Sequence, residues 1–254
     1  MDEKLKAFGR ILKIMDELRE QCPWDRKQTL ESLRPLTIEE TYELSDAIIK
    51  KDMGLLKEEL GDLLLHIVFY AKIGEEQGAF DIAKVIDDLC EKLIRRHPHI
   101  YGDVNVDNEE QVKQNWEKLK MKEGRKSVMG GVPESLPAMI KAWRVQDKAK
   151  QVGFEWDNIE DVWKKVEEEL QEFKEVVKEA DADKIEDEFG DLLFSLVNYS
   201  RFLNVDPETA LERTNQKFLK RFRYIEEVAQ SRGKQLTDMT LGEMDAIWNE
   251  AKKL

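Results

Sequence analysis

An acidic pattern written twice at one fixed distance constrains this chain more than any other feature. Glu39-Glu40-x-x-Glu43 followed by Glu59-x-x-Asp62 recurs as Glu168-Glu169-x-x-Glu172 followed by Glu188-x-x-Asp191, every residue displaced by 129 positions. Fifteen residues separate the two halves of the pattern in both copies. The neighbours repeat as well: Glu59-Leu-Gly-Asp-Leu-Leu is answered by Glu188-Phe-Gly-Asp-Leu-Leu, Cys22–Asp25 by Phe154–Asp157, Glu91–Arg96 by Gln216–Arg221, and Trp116 by Trp248. Acids scattered over a solvated surface have no reason to keep such a register. A duplicated fold explains the spacing. A shared chemistry explains why the carboxylates themselves are present in both copies.

Three-residue spacing places Glu169 with Glu172, and Glu188 with Asp191, on one face of their helices. Ala180–Asp183 reads as a tight turn, so the two helices fold back as a hairpin and bring four carboxylates together. Anions held that close repel one another, and an oxygen-seeking divalent cation is the usual counterweight. The polar stripe continues through Lys165 on the first helix and through Lys184, Ser195 and Asn198 on the second. The plainer reading is a solvated acidic face, common in a chain this acidic. The repeat weighs against it.

The chain is expected to be all-α: two tandem helical-bundle domains related by the internal repeat, over residues 1–123 and 134–254, with a Gly- and Pro-bearing linker over 124–133. Helices are expected over about Leu5–Glu20, from a Thr37-x-x-Glu40 capping box to about Lys51, and over Leu55–Ile73, Ile82–Arg96 and Glu109–Lys122. In the second half they are expected over Ala138–Gln151, after an Asp157-x-x-Glu160 cap, across the central hairpin, after Asp206-Pro207, and after Thr240-x-x-Glu243. With 37% charged residues and a net charge of −13, a nucleic-acid or anionic-membrane surface is not expected. Two cysteines make no disulfide framework and fit a reducing compartment. No apolar run reaches transmembrane length and the N-terminus resembles no targeting signal, so the expected location is the cytoplasm.

The doubled EExxE…ExxD pattern, the CPWD segment, Arg95–Asp103 and Lys217–Phe222 together resemble the MazG family of all-α nucleoside triphosphate pyrophosphohydrolases. The resemblance implies Mg2+-dependent hydrolysis of a nucleoside triphosphate to monophosphate and pyrophosphate, with Mn2+ able to stand in. It also implies a homodimer and a housekeeping role in the nucleotide pool. The metal ligands would be Glu169, Glu172, Glu188 and Asp191, with Glu168 as general base or as a group orienting the attacking water. Lys165, Lys184, Lys217 and Arg221 would hold phosphate oxygens, Asn198 would bond the sugar or base, and Trp248 would either wall the base or pack in a core. The first copy keeps Glu40, Glu43, Glu59 and Asp62 for metal. It has Leu36, Leu55, His66 and Phe69 where the second has Lys165, Lys184, Ser195 and Asn198, so the second domain is expected to carry most of the activity. A di-metal oxidase bundle would need Glu-x-x-His pairs, which the acidic motifs lack. A non-enzymatic acidic docking or dimerisation surface is the main alternative.

Overall fold

The computed structural model describes residues 2–106, 108, 111–112, 115–116, 119, 127–179 and 181–253. Among them there is no β-strand, and no helix is long and apolar enough to cross a membrane. The chain divides into two compact units, Met1–Val112 and Lys113–Leu254. Most of the expected helix Glu109–Lys122 and the start of the expected linker lie outside the described residues.

In the first unit, α1 (Glu3–Gln21) leads through a 3-10 turn at Asp25–Lys27 into α2 (Leu30–Lys50), α3 (Met53–Glu76), α4 (Ile82–Arg96) and the single turn α5 (Pro98–Tyr101). α2 starts seven residues before the expected Thr37. Its capping box is built by Thr29 and Ser32, whose side chains each accept the other's backbone N–H. Pro35 therefore lies inside the helix rather than ahead of it. The Thr37 hydroxyl is turned inward, 3.0 Å from the Leu33 carbonyl, 2.7 Å from the Tyr70 hydroxyl and 2.8 Å from His66 Nδ1. Lys51 takes a left-handed conformation (φ 55°) that ends α2, and Asp52 caps α3 by accepting from the N–H groups of Gly54 and Leu55. Met15, Leu33, Val68, Phe69 and Ile73 form the core between α1, α2 and α3, with Leu36 and Leu65 packed against it. Arg19 closes one side of that core. Its guanidinium binds Glu76 on α3 and the Asp25 and Gln28 carbonyls, and lies 5.4 Å from the Phe69 ring centre.

In the second unit the order is α6 (Ala138–Gln151), α7 (Ile159–Glu179), α8 (Ala182–Phe202), α9 (Pro207–Ser231) and α10 (Leu241–Ala251). The start of α7 is fixed by Asn158, whose side chain accepts from the Asp161 N–H at 2.9 Å, one residue beyond the expected Asp157. Asp181 caps α8 by accepting from the N–H groups of Asp183 and Lys184. Ring pairs report the pairing of α7 with α8: Phe173 sits 5.5 Å from Phe189, and Trp163 sits 4.9 Å from Tyr199. As one number falls the other rises, so the helices run antiparallel. Val162 and Val166 on α7 and Val197 on α8 are buried. A second cluster, Ile225, Ala229, Met239 and Ile247, joins α9 to α10. The Asp206-Pro207 start and the Thr240–Glu243 capping box stand as expected.

Phe69 is 2% exposed in the centre of the first unit's core. Phe69→Ala should destabilise that unit by about 3–5 kcal/mol, measured by denaturant unfolding or by hydrogen exchange along α3.

Candidate active site

The short α7–α8 hairpin brings three of the four expected carboxylates into one cluster, with Asp191 outside it. One carboxylate oxygen from each of Glu169, Glu172 and Glu188 lies within 4.8 Å of the others. Glu169 is 7% exposed and Glu172 lies at the surface. Lys165, one turn before Glu169, brings its ammonium to 2.7 Å from Glu168 and 2.8 Å from Glu169. Partial loss of solvent, together with the charges of Glu169, Glu188 and Glu168, holds the Glu172 carboxyl above its ordinary pKa. Hydrogen bonds to Glu168 and Glu169 raise Lys165 above its own. The first unit repeats the cluster with Glu40, Glu43 and Glu59, again within 4.8 Å. Desolvation, then Asp62, Glu43 and Glu39, push Glu40 upward, and desolvation with Glu43, Glu40 and Asp62 does the same to Glu59.

Beside the hairpin of the second unit opens a cavity of about 640 Å3. It shares Lys165 and Glu169 with the carboxylate cluster and has Asp191 on its wall. Much of the rest is apolar or aromatic: Met129, Val145, Ala149, Phe154, Trp156 and Phe194. The polar remainder is Gln146, Glu155, Ser195, Asn198 and Arg201. Arg201, whose side chain is 8% exposed, binds both carboxylate oxygens of Glu155 and donates from Nη2 to Asn198 Oδ1 at 2.9 Å. Gln146 donates to the Phe194 carbonyl at 2.8 Å, joining α6 to α8. The volume lies within the usual range for small-molecule sites, and an apolar wall with a few placed polar groups is their usual composition.

Not every residue singled out from the sequence reaches this cavity. Lys165, Glu169, Asp191 and Asn198 line it, and Glu172 and Glu188 adjoin it through the cluster. Glu168 is exposed and held by Lys165. Lys184 is bound to Glu179 at 2.9 Å, close to the turn of the hairpin. Lys217 is exposed on α9. Arg221 lies over the Trp248 ring at 5.5 Å, and Trp248 packs against the α9–α10 core with Phe218 5.0 Å away. Of the two readings of Trp248, core packing is the one this chain displays. In the first unit the positions of Asn198 and Lys165 belong to Phe69 and Leu36, both part of the packed core. Side chains of the core stand there where the second unit has a cavity.

Sequence reasoning missed Gln146, Glu155 and Arg201. Their partners lie 46 to 48 residues away in the chain, beyond the reach of helical periodicity. Met129, read as linker, is part of the cavity wall. The recurrence of Trp-Asp in Cys22–Asp25 and Phe154–Asp157 was the available signal for the segment carrying Glu155.

Comparison with known proteins agrees with this geometry. The MazG nucleotide pyrophosphohydrolase domain matches residues 28–101 and again 158–225, which covers both acidic hairpins. The nucleoside triphosphate pyrophosphohydrolase/pyrophosphatase MazG of Thermotoga maritima is 49% identical over 99% of this chain and 98% of its own length. The nucleoside triphosphate pyrophosphohydrolase of Escherichia coli K12 is 40% identical over 98% of each. A solved structure of a MazG-related protein from Thermotoga maritima aligns with 44% of this chain and 98% of its own, at 26% identity and a TM-score of 0.40. With both halves matched and relatives aligned from end to end, the chain belongs to the MazG nucleotide pyrophosphohydrolase family.

Proposed function

We propose that this chain hydrolyses nucleoside triphosphates to the monophosphate and pyrophosphate, with a divalent cation, Mg2+ by its ligand chemistry, at the α7–α8 hairpin of the second unit. The observation that carries the reading is the carboxylate cluster opening onto a nucleoside-sized cavity, with Lys165 and Glu169 common to both. The donor set suits such a cation. Three carboxylates within 4.8 Å supply hard oxygens, there is no thiolate or imidazole among them, and partial loss of solvent followed by repulsion from its acidic neighbours raises Glu172. Glu169, Glu172 and Glu188 would hold the cation, with Asp191 the fourth carboxylate on the cavity side. When bound, it neutralises the triphosphate and the charge that grows on departing pyrophosphate.

The protein's own groups do the rest. Lys165 sits where a phosphate oxygen can replace one of its two carboxylate partners. Glu168, held by that same ammonium, would orient a water and accept its proton as the bond between the α- and β-phosphates breaks. The aromatic wall takes the nucleoside. Lys184, Lys217, Arg221 and Trp248 do not line the cavity and so would not touch a substrate held there by the same chain. A homodimer is proposed as well. It is supported by apolar side chains left exposed along α8 and α9, including Phe189, Leu193, Leu211 and Phe218. The rival reading, an acidic docking surface, sits poorly with Glu169 at 7% exposure. Pyrophosphate release from a panel of triphosphates, with and without Mg2+, separates the two.

Glu172→Gln or Asp191→Asn should lower turnover by about two to three orders of magnitude or more, and wild-type rates at saturating Mg2+ would refute the assignment. Stability should move the other way. The folded-state pKa of Glu172 is raised, so in metal-free protein the fold binds a proton more tightly than the unfolded chain does. This carboxylate therefore costs stability as pH rises from the ordinary glutamate range through the raised value. At neutral pH metal-free Glu172→Gln should melt no lower than wild type. Lys165→Leu, which copies Leu36 of the first unit, should cut kcat/KM about ten- to a hundredfold through loss of a charge-assisted phosphate contact. Disabling Glu43 with Asp62 should leave most of the rate, whereas disabling Glu172 with Asp191 should not. Equal residual rates would place activity in both units.

A further inference from the structure

A guanidinium can only donate, so the hydrogen bond from Arg201 Nη2 fixes which way the Asn198 amide lies. Oδ1 faces the arginine at 2.9 Å, and Nδ2 is turned elsewhere. Nδ2 bonds to none of the described residues, and it is not sealed inside the protein as Gln146 Oε1 and Arg201 Nε are. Asn198 lines the cavity, so the polar group it has to offer there is an N–H donor. Arg201 is held in turn, with both Nη atoms on the Glu155 carboxylate. The amide cannot turn over without breaking a charge-assisted bond. Neighbouring polar groups of the wall are committed inward: Ser195 is buried and donates to the Leu192 carbonyl, and Gln146 donates to that of Phe194.

The first unit shows that bracing a Trp-Asp segment with an arginine does not require this amide. There Arg19 grips Glu76 and the Asp25 and Gln28 carbonyls, and Phe69 stands at the position of Asn198. The asparagine occurs in the unit that has a cavity against it. Its place along α8 says which part of a nucleotide it can meet. Asn198 follows Glu188 by ten residues, which is about 15 Å along the helix axis. With the phosphates at the carboxylate cluster, that distance passes the ribose and reaches the base. Every base carries a carbonyl oxygen or an unprotonated ring nitrogen able to accept. We infer that Asn198 donates from Nδ2 to an acceptor on the base, and that Arg201 and Glu155 are positioning residues that hold the amide in that sense. The inference rests on the cavity taking the nucleoside end of the substrate proposed above.

Asn198→Asp keeps the shape and still offers Arg201 an oxygen, but the outward N–H donor becomes an acceptor. Its kcat/KM for nucleoside triphosphates should fall about tenfold or more, chiefly through KM, with a melting temperature no lower than wild type. Tripolyphosphate, used as a competitive inhibitor, carries the chain without the nucleoside and should inhibit both proteins equally. Inhibition weakened by the same factor as the loss on nucleotides would show that the new charge repels the phosphates, and would overturn the inference. Wild-type KM in Asn198→Asp would overturn it too, because an asparagine that only braces Arg201 is well replaced by aspartate. A loss that disappears with 2′-deoxy or 3′-deoxy substrates would move the acceptor to the sugar and refute the assignment to the base. Removing the brace as a pair, Glu155→Met with Arg201→Met, leaves neither charge without its partner and lets the amide turn. Adding Asn198→Asp to that pair should then cost less than about threefold, whereas the full loss would deny Arg201 and Glu155 their role. Arg201→Lys, which keeps the ion pair and gives up the fork, is the gentler form of the same comparison should the pair fold poorly. Calorimetric binding of AMP reads the contact without turnover. Absence of hydrolysis by the wild type counts against the proposed function, while equal AMP affinity in wild type and Asn198→Asp counts against this contact.

Discussion

Carboxylates held within 4.8 Å of one another by helical backbone strain the hairpin that carries them, and the rest of this structure can be understood as what makes that tolerable. Each acid would be better solvated apart. The hairpin is closed instead by packing on its other faces: Val162, Val166 and Val197 are buried, and Phe173 lies against Phe189. Burial of such side chains contributes about 1.5–3 kcal/mol each, enough to offset repulsion between partly solvated charges. Lys165 neutralises part of what remains, as far as an ammonium can reach. A cation-binding site of this kind is stored in the apolar side of the helices as much as in the acids.

The two copies divide that construction differently. Both retain the acids, yet the positions of Lys165 and Asn198 are given in the first copy to Leu36 and Phe69, which join Met15, Leu33 and Val68 in a continuous core. The first unit thereby gains apolar contact where the second gains a chamber. A similar trade appears in the arginines that brace the two Trp-Asp segments. Arg19 of α1 reaches Glu76 and the Asp25 carbonyl over the Phe69 ring, whereas Arg201 of α8 reaches Glu155 and Asn198. One arginine seals a core and the other orders the polar side of a cavity.

What could be read from the chain follows from the range of the forces involved. Helices, most caps and the acidic hairpins depend on spacings of three, four and seven residues, which a sequence displays directly. Thr37 misled because Pro35 resembles a helix boundary, while the true start at Thr29 and Ser32 pairs two small hydroxyl residues rather than threonine with glutamate. Asp157 misled by one position because Asn158 serves equally well as a cap. The cavity itself was out of reach. Gln146, Glu155 and Arg201 meet through tertiary packing, and Lys184 and Trp248, both polar-tipped and well placed on paper, are held by Glu179 and by the α9–α10 core.

The brevity of the connection between Glu179 and Ala182 has a consequence for how such a protein can change through time. Adding or removing a single residue within α8 ahead of Glu188 would turn the following acids by about 100° around the helix axis, away from Glu169 and Glu172. A change of that kind cannot be absorbed gradually, because each residue added to the helix turns the acids by a full step. Substitution is therefore open to this hairpin, while a change of length within α8 ahead of Glu188 pulls its acids apart.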